Sequence, residues 1–70
     1  MKQKTPVVVK YSSYKSNKGL VQLVQIFNKT GKKELLHSIK EKGETNRYNS
    51  LMQKARIWCE ENNYKVDIVL

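Results

Sequence analysis

The spacing of apolar residues changes period twice along this chain, and that change limits what it can fold into. As far as Ile39 the pattern belongs to strands. Val7-Val8-Val9-Lys10-Tyr11 is β-branched and aromatic, and Leu20 to Phe27 reads LVQLVQIF, apolar on both faces apart from Gln22 and Gln25. A run with two apolar faces suits an inner strand. Lys33 to Ile39 predicts a third strand, with Leu35, His37 and Ile39 on one face and Leu36 and Ser38 on the other. From Thr45 the period becomes that of a helix, with Tyr48, Leu51, Met52, Ala55, Trp58 and Cys59 on one side. At Tyr64 the alternation of strands returns and runs through Val66, Ile68 and Leu70. The order is β-β-β-α-β.

Turn residues fall between these runs. Pro6 suits the start of a strand. Asn17-Lys18-Gly19 is a turn with a glycine free to take positive φ. Asn28-Lys29-Thr30-Gly31-Lys32 is a hairpin signal that puts Gly31 in the left-handed region, and Lys40-Glu41-Lys42-Gly43 breaks the strand pattern. Thr45 is the first choice of helix N-cap, with Asn46 and Asn49 behind it, and Asn62-Asn63 is a C-terminal stop. The expected fold class is α+β: a three-stranded antiparallel meander, one amphipathic helix packed on one sheet face, and a C-terminal fourth strand. A right-handed crossover through the helix lets that strand run parallel to its neighbour. One helix covers one face, so the other must meet solvent, a ligand or a second copy. The helix core is expected to centre on Trp58.

Seventy residues make a single small domain, 1–70, with residues 1–5 expected as a flexible basic tail. A domain this short buries only about 60% of the surface its unfolded chain exposes. Cys59 is the only cysteine and His37 the only histidine, which excludes an internal disulfide and does not fit a four-ligand zinc site. Self-association is the reinforcement left open. No apolar run approaches the roughly 18 residues of a membrane span, and Val7-Val8-Val9 is too short for a signal peptide. With its lone cysteine, the chain reads as a soluble cytoplasmic protein with no membrane partner.

The charge is concentrated toward one end. Residues 1–42 hold ten lysines against Glu34 and Glu41, whereas residues 43–70 hold four basic and four acidic side chains, so the whole formal charge of +8 lies in the first part. Such a chain projects a positive, salt-screened potential that attracts polyanions.

Val7-Val8-Val9-Lys10-Tyr11-Ser12 sits where one known fold has a first strand ending in a catalytic aspartate. Thr45-Asn46 followed by Leu51 is similar to the T-N-x-x-x-E-L entry to that fold's first helix, with Ser50 at the glutamate position. These segments and the element order resemble the N-terminal half of the ribonuclease H-like fold. The resemblance implies the meander, helix and parallel fourth strand. The metal-binding carboxylates are missing, so it implies no nuclease activity.

The remaining residues point away from catalysis. Two-metal phosphoryl chemistry needs several converging carboxylates, but the six acids are scattered, and adjacent Glu60 and Glu61 do not share a helix face. His37 with Cys59 is a conceivable base and nucleophile, yet Cys59 lies on the apolar helix stripe, where a thiol is an inert core residue. Gly19, Gly31 and Gly43 stand singly and build no phosphate loop. The expectation is a non-enzyme with no cofactor and no metal.

Lysines interleaved with tyrosines are the stronger signal. Lys10, Tyr11, Tyr14, Lys15 and Lys18 gather on the first strand and turn, Lys29, Lys32 and Lys33 on the second turn, and Lys40 and Lys42 past the third strand. Lysines can contact phosphates and exposed tyrosines can stack on bases. The predicted function is nucleic-acid binding, to DNA or RNA. Because lysine far outnumbers arginine, it should be directed at the backbone with weak sequence specificity. Gln22 and Gln25 would reach base edges if they lay on the open face. The rival expectation is a small regulatory protein-binding module of phage or plasmid type. It would dock on an acidic partner or form a homodimer through the open sheet face or the C-terminal strand.

Overall fold

The computed structural model describes residues 4–29 and 34–70. Four strands and one helix follow in the expected order: β1 Thr5–Ser16, β2 Gly19–Asn28, β3 Leu35–Lys42, α1 Tyr48–Glu61 and β4 Tyr64–Val69. They form one sheet ordered β3-β2-β1-β4, with α1 across one face. β1 pairs antiparallel with β2 and parallel with β4, and β2 pairs antiparallel with β3. No helix among the described residues is long and apolar enough to cross a membrane.

β1 is much longer than its apolar segment. It continues through the polar Ser12-Ser13-Tyr14-Lys15-Ser16, beyond the expected strand, because β2 offers a backbone partner for every residue to the turn. Pairing ends at Ser16 and Gly19, with Gly19 at φ +117°, the geometry a non-glycine residue resists. The expected turn at Gly31 lies outside the described residues, as do residues 1–3 of the expected tail; Thr5, assigned to that tail, begins β1. β3 likewise runs on through Lys40-Glu41-Lys42, where a break was predicted, since Val21, Gln22 and Leu23 pair with those residues.

The core lies between α1 and the sheet. Val7, Val9, Val24 and Ile26 from the inner strands meet Leu51, Met52, Ala55 and Cys59 from the helix, all buried. Trp58 is not its centre. It is half-buried near the end of α1, stacked between His37 (centroids 4.6 Å apart, rings parallel within 1°) and Tyr64 (5.4 Å, 9°). Because β3 and β4 are the two sheet edges, this stack ties both edges to the helix.

Both ends of α1 are closed by amides. Arg47 is the N-cap and offers no side-chain bond, but Asn46 Oδ1 accepts from the Tyr48 N–H (2.8 Å), so Asn46 rather than Thr45 supplies the capping oxygen. At the other end the Asn62 side chain donates to the Trp58 carbonyl (2.8 Å), and Asn63 at φ 62° turns the chain into β4, as expected for that pair.

Gln22 joins the helix entry to the sheet. Its side chain is turned toward α1 and buried, so it is not available to read bases. Gln22 Oε1 accepts from the Tyr11 hydroxyl (2.9 Å) and the Arg47 N–H (2.8 Å), while Nε2 donates to the carbonyls of Gly43 (3.0 Å) and Thr45 (2.7 Å). All four hydrogen-bonding positions of the amide are used.

Two outcomes test this arrangement. Gln22→Leu strands several buried polar groups and should cost at least about 2 kcal/mol, read as a loss of denaturation midpoint. Trp58→Ala should cost about 3 kcal/mol, which in a domain this size lowers the melting temperature by about 12 °C or more.

Candidate functional site

Strand alternation sorts the side chains of β1–β4 onto two faces, and the pairing registers identify them. The face under α1 takes Val7, Val9 and Tyr11 from β1, and across the ladder Gln22, Val24 and Ile26 from β2. The opposite face carries no helix. On it, rows of paired residues run across the strands: Lys42–Val21–Tyr14, then Lys40–Leu23–Ser12, then Ser38–Gln25–Lys10, and then Leu35–Phe27–Val8–Ile68. Pro6 and Lys65 pair at the next level.

The alternation also separates charge by sign. In Lys40-Glu41-Lys42 both lysines point to the open face, while Glu41 points under the helix and its Oε1 accepts from Lys54 Nζ (3.2 Å). Lys10 and Lys65 join the open face from β1 and β4. No paired strand position of that face holds an acid; the nearest acid is the unpaired Asp67, beside Lys65. Among the described residues the ion pairs are Lys54–Glu41 and Lys29–Asp67, so Lys10, Lys40 and Lys42 form none, while Lys65 lies close enough to Asp67 for its charge to help hold that carboxyl ionised. Tyr14 is 45% exposed beside Val21 and Lys42, a ring open to contact.

The predicted site residues therefore divide. Lys10, Tyr14, Lys40 and Lys42 come together on the open face. Lys15 points to the other side of the β1–β2 hairpin and Lys18 sits in its turn, both exposed at the same end. Tyr11 does not join them: its ring packs edge-on against Tyr48 (5.1 Å, 76°) beneath the helix entry, and its hydroxyl is committed to Gln22. Lys29 is drawn to Asp67 of β4. Lys32 and Lys33 lie outside the described residues. Gln25 does lie on the open face, half-buried, next to Lys10.

Lys65, Phe27, Leu35 and Ile68 belong to this face and escaped the sequence reading. Two β-bulges explain the last two. Leu36 is an extra residue in β3 between the partners of Ile26 and Phe27, and Asp67 is an extra residue in β4 between the partners of Val7 and Val8. Each shifts the following alternation by one, so Leu35 does not share a face with His37, nor Ile68 with Val66. Leu36 packs against the core in the place expected for Leu35.

The titratable groups elsewhere have structural explanations. The hydrogen bond from Lys29, and then its charge, hold the Asp67 carboxyl below the usual carboxylate range. A lowered pKa stabilises the fold above the unfolded value, and that contribution is lost as pH falls through the folded one. At this exposed pair salt screens it strongly. Burial pushes the Cys59 thiol up, and the His37 ring is stacked on Trp58. Among the described residues no group of three or more His, Cys, Asp or Glu side chains is placed to hold a metal ion.

Compared with protein-family models, curated proteins and solved structures, this chain matches none.

A thiol that is buried and raised in pKa should be inert in the native state. Cys59 should react with a thiol-specific chromogenic disulfide only as fast as the domain opens, and within the mixing time in denaturant. Rapid native labelling would show Cys59 to be accessible.

Proposed function

We propose that this chain is a non-enzymatic nucleic-acid-binding protein that grips the phosphate backbone of DNA or RNA through its helix-free sheet face. One observation carries the reading: Lys10, Lys40 and Lys42 lie on successive rows of that face with no ion-pair partner among the described residues, beside the exposed Tyr14. Lys15 and Lys18 extend the positive surface around the hairpin tip. An ammonium is a compact point charge that neutralises phosphates without the forked geometry that reads guanine, so affinity should vary little with sequence. Tyr14 adds a ring on which a base can stack.

The alternative is a protein-binding module that docks on an acidic partner or on a second copy. It is favoured by the apolar residues on the same face, notably Leu35 and Ile68. Salt separates the two readings, since counterion release makes nucleic-acid binding fall steeply as salt rises and an apolar protein interface does not.

The test is a fluorescence-anisotropy titration of labelled oligonucleotides at two salt concentrations, with the parent and with Lys10→Glu, Lys40→Glu and Lys42→Glu combined. The three side chains are exposed, so the fold should persist. Each lost phosphate contact should flatten the slope of log K against log salt by about 0.7–0.9 and weaken all sequences alike. Unchanged affinity in the triple variant would remove the sheet face as the binding surface.

A further inference from the structure

We infer that the nucleic acid held on this face is single-stranded, with bases laid on the apolar row Leu35–Phe27–Val8–Ile68 and phosphates on the flanking lysines. The inference rests on the nucleic-acid reading above and adds the class of ligand.

The row is the product of two independent irregularities. β3 and β4 lie at opposite edges of the sheet, and each carries a bulge next to this level. With unbroken alternation Leu35 and Ile68 would point under the helix. With the bulges both point outward, in register with Phe27 and Val8 of the inner strands. The result is an apolar band four strands wide, about 14 Å from first to last strand. Its outer members are left in solvent, Leu35 51% and Ile68 39% exposed, whereas Phe27 is half-buried and Val8 is buried between its neighbours at 7%. Bulges re-aim side chains at specific places in a sheet, and here two of them aim at one row.

The surroundings select the occupant. Lys10 lies on the level above the band and Lys65, beside Asp67, on the level below. A second copy placed face to face would bring Lys10, Lys40 and Lys42, none of them ion-paired among the described residues, against a surface of the same sign, and like charges across an interface are strongly unfavourable. A duplex presents phosphates and groove edges and keeps its base faces stacked, so it satisfies the lysines and leaves the band wet. A single strand offers both a phosphate chain and exposed base faces, which pack on apolar and aromatic side chains without regard to sequence. That combination matches a band bordered by lysines.

The experiment compares a mixed-sequence single strand with its duplex at low and moderate salt, using the parent, Leu35→Ser combined with Ile68→Ser, and Phe27→Leu. The parent should bind the single strand about tenfold or more tighter than the duplex. The double variant changes two exposed edge positions and should lose that preference while keeping duplex affinity and salt slope. Phe27→Leu keeps the band apolar but removes its ring, and should weaken single strands several-fold with the duplex unaffected. Equal binding of single strand and duplex by the parent would overturn this inference and leave the backbone-binding function standing. Binding of neither at low salt would overturn both. A preference that survives in both variants would remove the band as the base-contact surface. A salt-resistant dimer in light scattering that the double variant dissociates would assign the band to a second copy instead.

Discussion

The buried amide of Gln22 organises the joint on which the rest of the structure depends. A helix laid on a sheet must begin somewhere, and its first turn arrives with backbone donors that lack partners inside the helix. Here the sheet itself supplies an acceptor, since Gln22 Oε1 receives the Arg47 N–H while its Nε2 holds the Gly43 and Thr45 carbonyls of the connecting loop. A primary amide has two donors and two acceptor positions, and this one uses all of them. Such a group is far more expensive to leave unpaired than a hydrogen bond is worth when made. The penalty for any other loop path is therefore high, and the path sets where α1 starts and which way it crosses. Tyr11, recruited to the same oxygen, is taken away from solvent and packed on Tyr48.

At the other end of the helix an aromatic stack has the matching role. His37, Trp58 and Tyr64 come from β3, α1 and β4, and their near-parallel rings cover the end of the core where the aliphatic side chains stop. Lys29 and Asp67 link the end of β2 to β4 nearby. With the amide at one end and the rings at the other, a helix of only 14 residues is held against the sheet at both termini. That matters in a chain with no disulfide and a small core.

Committing the helix to one face leaves the other face with a distinct chemistry. Alternation along Lys40-Glu41-Lys42 sends the two positive groups outward and the negative one inward, so a segment that is nearly balanced in sequence is strongly positive on the surface it presents. The bulges at Leu36 and Asp67 then add apolar residues to that same surface. A positive field with an apolar band inside it follows from the geometry of strands as much as from composition. That surface is the one proposed to hold a nucleic-acid strand.

Much of this was legible in the residues themselves. The two changes of period, the apolar positions of α1, the turn at Gly19 and the stop at Asn63 are local signals, each set by the neighbours three or four residues away. They determine four strands, one helix and their order. The lysine excess likewise belongs to the sequence alone. What lies on which face does not. The polar length of β1 is a strand only because β2 runs beside it, and no local preference announces that partner. A bulge depends on the ladder it interrupts, so the outward turn of Leu35 and Ile68 exists only once the sheet has formed. Gln22 reads as a polar interruption in an apolar run, and becomes the fixed point of the fold only when the loop at Gly43 and Thr45, 21 and 23 residues on, reaches it. Period and charge are properties of neighbours in sequence; register, burial and the sorting of charge onto one face are properties of neighbours in space, and tertiary pairing decided them.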